Sequence, residues 1–339
     1  MIKVGFIGAG RIANAHLNAL KELKDIFLPV AVADPIDENA THIASEFGLL
    51  HTYRNYNDML DKEKLDLVVV AAPNGLHYKI SKDLIENGMN VLVEKPLTLS
   101  YKEAEELVNR AKSKKVFLGV VLQKRLLPLY KSLKCAIDEG RFERIFLIHL
   151  SLKWSRPKDY FANSWRGTRE MDGGLIFNQA IHDIDMIDYL FSIAEVFAYG
   201  GTFTHSIETE DNVVGVFKTK GGAIGSFEFT ISLNDKNMGE IIEIFGEKGR
   251  FIYGTGQYEN LTTIPSFLNL SEKDLSFARE STLSGKAHKL VYEEVAKVVI
   301  NSSDSVINGK NALRSILIAE GILTSVRNHE RVLLKEEEI

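Results

Sequence analysis

The sequence predicts an α/β protein in two parts: an N-terminal doubly wound parallel sheet, then a second α/β domain built on an open, mostly antiparallel sheet. Three observations carry this. Short β-branched runs alternate with amphipathic helical patterns over the first 123 residues. Beyond residue 124, strand-like stretches follow one another across short turns such as Lys220-Gly221-Gly222, which favour antiparallel hairpins. The length of 339 residues exceeds what one hydrophobic core serves, and an apolar content of 45% is enough for two. Residues 1–123 are therefore expected to form the first domain and 124–339 the second, whose C-terminal helices could pack back on the first.

In chain order, Val4–Ile7, Leu28–Ala33, Leu67–Ala71, Val91–Val93 and Val116–Val121 read as buried strands. Between them lie helices at Ile12–Leu23, at Ser81–Asn87 ending on Gly88, and from Ser100, where Glu103 three residues on forms a capping-box pattern. A helix near Pro128–Glu139, a strand near Ile145–Lys153, a polar loop and a helix near Gly174–Phe191 open the second part. Strands follow near Val196–Thr204, Asn212–Thr219, Ala223–Ser232, Glu240–Phe245 and Phe251–Tyr253. Residues 254–284 lack periodicity, two helices near Lys286–Ile300 and Gly309–Asn328 close the fold, and Glu336–Glu338 reads as a solvated tail. An antiparallel sheet covered on one side leaves Phe227 and Phe229 in need of a partner, so a homo-oligomer is expected.

A formal net charge of -5 argues against a nucleic-acid surface, which needs cations over a whole face. Neither a basic leader nor an apolar run of membrane-spanning length is present, so a cytoplasmic protein without membrane attachment is expected. The single cysteine, Cys135, excludes an intrachain disulfide and a cysteine zinc cluster, and the nine histidines are scattered, so no metal is expected.

Gly8-Ala9-Gly10-Arg11-Ile12-Ala13 follows the first strand and opens the first helix, the context in which glycines let backbone approach a pyrophosphate. Asp34 ends the second strand, where a carboxylate can accept from adenosine ribose hydroxyls; no arginine follows to neutralise a 2'-phosphate, which favours NAD. Asp34 could instead start a turn with Pro35. Pro73 and Asn74 leave the Leu67–Ala71 strand at the edge where ligands gather, and His77 stands where the next helix could begin. Glu94-Lys95-Pro96 ends another strand at that edge, where a lysine can donate to a substrate hydroxyl and burial would lower its pKa. Gln123, Trp165 and Arg166 complete the expected cofactor contacts.

Downstream come Trp165-Arg166-Gly167-Thr168, Gly173-Gly174 and Asn178-Gln179-x-x-His182-x-x-Asp185, in which helical spacing puts Asn178, His182, Asp185 and Tyr189 on one face. His182 suits general-base duty, Asn178 can hydrogen-bond but takes no proton, and Asp185 either orients the imidazole or caps local structure. Between Lys153 and Arg169 five cations (Lys153, Arg156, Lys158, Arg166, Arg169) face one acid, Asp159, and arginine grips carboxylate or phosphate bidentately while Tyr160 or Trp165 can stack on a ring.

Taken together, Gly8–Ala13, Glu94-Lys95-Pro96 and the Gly173-Gly174…His182-x-x-Asp185 helix resemble the Gfo/Idh/MocA family of nicotinamide-dependent sugar and polyol oxidoreductases over nearly the whole chain. The resemblance implies a Rossmann domain, a nicotinamide held between two domains, hydride transfer at a sugar carbon, Lys95 and His182 at the reacting hydroxyl, and dimers or tetramers. Where many members carry aspartate four residues before the histidine, this chain has Asn178. Lys153-Trp154-x-Arg156-x-x-x-Tyr160 and Trp165–Thr168, with Asn178-Gln179, are similar to the branch of nucleotide-sugar 3-dehydrogenases acting on UDP-N-acetylglucosaminuronic acid. That similarity gives Lys153, Arg156, Tyr160, Arg166, Thr168, Asn178 and Gln179 as substrate contacts. Phe161 and Leu175 depart from that branch, and inositol or free-sugar oxidation is the alternative; an NAD-dependent glycosidase or a non-catalytic dinucleotide sensor is the alternative of another class.

Overall fold

The computed structural model describes every residue except 163, 285, 302 and 336–339, so the tail expected at Glu336–Glu338 lies outside the described residues. Among these, the elements run β1 (Ile2–Ile7), α1 (Arg11–Lys21), β2 (Phe27–Ala33), α2 (Asp37–Phe47), β3 (His51–Tyr53), α3 (Tyr56–Lys62), β4 (Leu67–Val70), α4 (His77–Glu86), β5 (Val91–Val93), α5 (Tyr101–Lys114) and β6 (Leu118–Val120). The chain continues as α6 (Pro128–Asp138), β7 (Ile145–Lys153), a π-helical turn (Leu175–Ala180), α7 (Ile181–Phe191), β8 (Ile193–Gly201), β9 (Asn212–Thr219), β10 (Ile224–Thr230), β11 (Gly239–Gly246), β12 (Gly249–Gly254), α8 (Glu272–Ser284), α9 (His288–Asn301), α10 (Leu313–Asn328) and β13 (Val332–Leu333). Two compact units result: residues 1–127 with 280–313, and residues 128–279 with 314–339.

In the first unit six parallel strands lie in the order β3-β2-β1-β4-β5-β6. The order reverses between β1 and β4, which opens a crevice at their carboxyl ends. Leu67-Val68-Val69-Val70 is buried on both faces because helices cover both sides of a parallel sheet. The helix ending at Gly88 starts four residues earlier than its apolar run suggests, at His77. The Ser100 capping box does not form: Ser100 is the N-cap of α5, but its side chain takes no cap hydrogen bond. The chain returns to this unit with α9, which packs on α1.

The second unit is a seven-stranded sheet ordered β12-β11-β7-β10-β9-β8-β13, antiparallel except for the β7–β10 pair. Alternation along β10 sends Phe227 and Phe229 into the core beneath α7 and α10, with Leu150, Ile184, Phe217 and Ile318 around them. These two phenylalanines therefore do not face the open side, contrary to the sequence reading; Leu147, Val214, Val216 and Ile224 do, and all four are exposed. The segment 254–284 is not irregular throughout, since its last third is α8.

Candidate active site

Gly8 adopts φ +101°, and a Cβ there would lie 2.5 Å from the Ala71 carbonyl oxygen, so only glycine lets β1 turn this closely past the end of β4. At Gly10 a Cβ would meet nothing within 4 Å. Gly10 is also the N-cap of α1 and supplies no side-chain cap, so the first amides of the helix point into open space. That combination, a cradle a side chain would fill in front of a helix N-terminus, suits a pyrophosphate. Arg11 and Ile12 are exposed beside it, while Ala13 is fully buried against the sheet.

Asp34 starts the turn after β2 and reaches back to the glycine-rich turn. Its carboxylate accepts from the Ala9 amide at 2.8 Å, bracing the glycine-rich turn, and from the Ile36 amide at 2.9 Å, starting the next turn. Asn74 is buried in the turn after β4, with Pro73 half-buried before it. His77 corrects the sequence reading. Its ring is fully buried, with Nδ1 2.7 Å from the Pro96 carbonyl and Nε2 2.9 Å from the Ala72 carbonyl, so it ties two sheet-edge turns together instead of facing a ligand. Burial holds its imidazole below the ordinary value against the pull of those carbonyls.

Lys95 is half-buried and precedes Pro96 across a cis peptide bond. Its backbone amide donates to the Glu94 carboxylate at 3.1 Å. Glu94, expected at the cofactor, is instead buried against side chains that sequence reasoning missed: His16 Nε2 at 2.9 Å and His288 Nε2 at 3.2 Å share its Oε1, and Tyr292 meets His16 Nδ1 at 2.9 Å. Gln123 begins the turn after β6, half-buried, next to the buried cations Lys124 and Arg125.

In the second unit the basic loop divides. Lys153 lies on the open face of the sheet by the period of β7 and is ion-paired with Glu228, so it is not available as the substrate cation expected. Arg169 turns to acids, its amide donating to Glu208 at 2.9 Å and its guanidinium 3.9 Å from Glu210. Arg156 and Arg166 instead converge on one ring: their guanidinium carbons sit 5.4 Å and 4.8 Å from the centre of Tyr160. Trp154 flanks Arg156 at 4.6 Å and Trp165 flanks Arg166 at 5.0 Å, so each cation is held over two aromatic rings. Thr168 closes this loop on itself, donating to the Trp165 carbonyl at 2.6 Å, a structural use where a substrate contact was expected.

A second layer fixes the loop. The buried Asp172 accepts from the Gly167 amide at 2.9 Å and from the Asn178 side chain. Gly174 holds φ +69°, ψ -160°, a region nearly restricted to glycine, and a Cβ there would lie 2.4 Å from Thr209 Cβ. Any other residue costs about 1–3 kcal/mol in backbone strain alone. Gly167 is similarly crowded by Ile207, at 2.6 Å. The 203–209 loop behind them hangs on Asp211, which accepts from the amides of Phe203, Thr204 and His205 at 2.8, 2.8 and 3.0 Å. Burial opposes its ionisation, yet these donors hold the carboxyl far below the ordinary range. Asp172 and Asp211 gave no sequence signal, because their roles depend on main-chain donors brought together by the fold.

Asn178 and Gln179 lie in the π turn that leads directly into α7, the helix carrying His182, Asp185 and Tyr189. Gln179 is buried, and its side-chain oxygen has no hydrogen-bond partner among the described residues. An atom so placed costs about 1–3 kcal/mol unless a ligand donor meets it.

Residues 2–122 match the oxidoreductase family with an NAD-binding Rossmann fold, and residues 130–252 match the GFO/IDH/MocA C-terminal domain. The chain belongs to the Gfo/Idh/MocA family. It is accordingly an NAD-dependent oxidoreductase, and the cradle at Gly8–Ala13 is where its residues fit that cofactor. Among solved structures, the WlbA dehydrogenase of Bordetella pertussis in complex with NADH and UDP-GlcNAcA is 30% identical, with a TM-score of 0.91 over 99% of this chain and 98% of that one. The WlbA dehydrogenase of Chromobacterium violaceum, with the same two ligands, is 32% identical, with a TM-score of 0.89 over 99% and 97%. The scyllo-inositol 2-dehydrogenase (NAD(+)) of Bacillus subtilis is 24% identical over 96% of this chain and 94% of its own length. No helix among the described residues is long and apolar enough to cross a membrane.

Proposed function

We propose that this family member oxidises the C3 hydroxyl of a nucleotide-linked N-acetylated uronic acid, UDP-N-acetylglucosaminuronic acid, in the making of surface-polysaccharide sugars. The observation that carries the reading is the pair of guanidinium groups of Arg156 and Arg166 held over the Tyr160 ring. Two preorganised planar forks suit a carboxylate or phosphate oxygen pair. The likeness to two WlbA dehydrogenases bound to UDP-GlcNAcA, at 30% and 32% identity, supports the same substrate. The Gln179 oxygen is suited to an N-acetyl amide or hydroxyl donor.

In this reading NAD supplies the hydride acceptor. His182 takes the hydroxyl proton, Lys95 hydrogen-bonds the same oxygen, and Asn178, itself held by Asp172, donates an amide hydrogen to the sugar. Inositol oxidation is the second reading, supported by relatives such as the myo-inositol 2-dehydrogenase of Thermotoga maritima, 25% identical over 74% of each chain.

Reduced-nicotinamide absorbance after mixing protein, NAD and each of UDP-N-acetylglucosaminuronic acid, UDP-N-acetylglucosamine and the inositols separates the two. Turnover confined to the uronic acid is expected, and Arg156→Ala or Arg166→Ala should raise its KM roughly 10- to 100-fold, the loss of a charged hydrogen-bond pair. Turnover of inositols alone would sink the nucleotide-sugar reading and keep the dehydrogenase.

We further propose that the open sheet face joins copies of this chain. Val214 and Val216 on β9 and Ile224 on β10 are more than half exposed there, and Tyr199 stands opposite Val214 in register. Sedimentation velocity is expected to report a dimer or tetramer that Val216→Lys with Ile224→Lys converts to monomer; an unchanged distribution in the double variant would place any interface elsewhere.

A further inference from the structure

His16, Glu94, His288 and Tyr292 form a buried cluster of ionisable side chains in the first unit that the proposed chemistry leaves unused. His16 and Tyr292 are fully buried, and Glu94 and His288 nearly so. They come from three distant places: α1, the end of β5, and α9, which reaches the site only because the chain returns to this unit.

The donor and acceptor count fixes one consistent arrangement. A Glu94 carboxylate only accepts, so the two imidazoles at its Oε1 each present Nε2–H, at 2.9 and 3.2 Å. His16 Nδ1 is then a lone pair, and the Tyr292 hydroxyl donates to it at 2.9 Å. The second carboxylate oxygen takes the Lys95 amide at 3.1 Å. With both rings neutral, one negative charge remains, on Glu94, buried one residue from the lysine at the reacting hydroxyl. Burial alone would raise the Glu94 pKa, but the hydrogen bonds from His16 and His288 outweigh it and hold the carboxyl well below its usual value. Burial pushes His16 the other way, toward the neutral ring, against the hydrogen bond with Glu94.

We propose that His16 and His288 are positioning residues: acting through Glu94, they keep its carboxylate ionised and its oxygens aimed so that the Lys95 backbone, and with it the ammonium group, is held in one place at the carboxyl edge of the sheet. The histidines touch neither substrate nor cofactor in this scheme. It rests on the Lys95 role proposed above, whereas the charge arrangement itself does not.

The test has two arms. With ¹⁵N-histidine-labelled full-length protein, long-range ¹H–¹⁵N correlation spectra, assigned by difference against His16→Gln and His288→Gln, read the tautomers without any substrate. Both rings are expected to stay neutral with Nε2–H between pH 5.5 and 8; an imidazolium, an Nδ1–H tautomer, or a stoichiometric divalent metal on the three ligand atoms would overturn the arrangement. In the second arm, with whichever sugar the protein turns over, His288→Leu removes a donor and His288→Gln retains one. His288→Leu is expected to lower kcat about tenfold or more, to leave the Kd for NAD within about threefold, and to move the acidic limb of the kcat profile to higher pH as Glu94 begins to protonate. His288→Gln should restore kcat to within about threefold and return that limb. Equal losses in both variants with unmoved pH profiles would mark His288 as packing only and end the proposal. A fully active Lys95→Ala protein with correct tautomers would sink the lysine role and leave the charge arrangement standing.

Discussion

Lys95→Ala and His182→Ala are each expected to lower kcat by roughly 10²- to 10⁴-fold, the range general acid–base groups supply, while the Kd for NAD stays within about threefold. The expectation follows from where the two residues stand. Lys95 leaves the end of β5 at the carboxyl edge, where sheets of this kind meet their ligands, and its main chain is pinned through Glu94. His182 opens α7 directly after the π turn, half-buried among residues that are otherwise buried. Neither forms the pyrophosphate cradle, whose donors are the amides after Gly10, so removing either should affect the chemical step and spare cofactor binding. Isothermal titration with NAD beside steady-state kinetics distinguishes these effects. Loss of NAD affinity in step with kcat in both variants would assign them to binding. A double variant no slower than either single one is the further expectation if both act on one oxygen, because groups that work as a unit are not additive.

Most of the fold was legible because local chemistry decided it. The buried strands of the first sheet carry continuous apolar runs, and the limits of β7 and β9, Ile145–Lys153 and Asn212–Thr219, follow from apolar, β-branched stretches bounded by polar and turn residues. What pattern could not give was phase and partner. Phe227 and Phe229 were placed on the wrong face because alternation says that two faces differ, not which one the helices cover. The π turn at Leu175–Ala180 has no apolar signature that separates it from α-helix, so the pattern reads it and α7 as one continuous helix. Net charge along the basic loop is similarly incomplete: Glu228 and Glu210, distant in sequence, pair with Lys153 and Arg169 and leave Arg156, Lys158 and Arg166. The glycine cradle is the opposite case, since Gly8 is required by backbone geometry and Gly10 leaves open space before the helix, all within one six-residue motif. His16, Glu94 and His288 meet only after the chain has returned from the second unit, and no local reading anticipates that.

The largest effect on stability is expected at the corner between α7 and β8. Asp188, near the end of α7, accepts from the Ile193 amide at 2.8 Å and from Arg314 of α10 through Nη2 at 2.8 Å and Nε at 3.1 Å, and Arg314 Nη2 also donates to the Ile193 carbonyl at 2.6 Å. Both side chains are largely buried, so the pair closes the helix end and the strand start in a bidentate clamp that little water reaches. Arg314→Leu leaves the Asp188 charge buried without its cation and should cost about 3–5 kcal/mol, whereas Asp188→Asn with Arg314→Leu removes the charge, keeps an acceptor for the Ile193 amide, and should recover more than half of that loss. Both tryptophans, Trp154 and Trp165, belong to the second unit, so their fluorescence in a urea titration follows this unit separately from the first. A double variant as unstable as Arg314→Leu alone would mean that lost packing of the arginine stem, not an orphaned carboxylate, sets the cost. Because α7 carries His182, the clamp also bears on chemistry: at a temperature where Arg314→Leu is still folded, kcat should fall more than the Kd for NAD rises, and recover with the double variant.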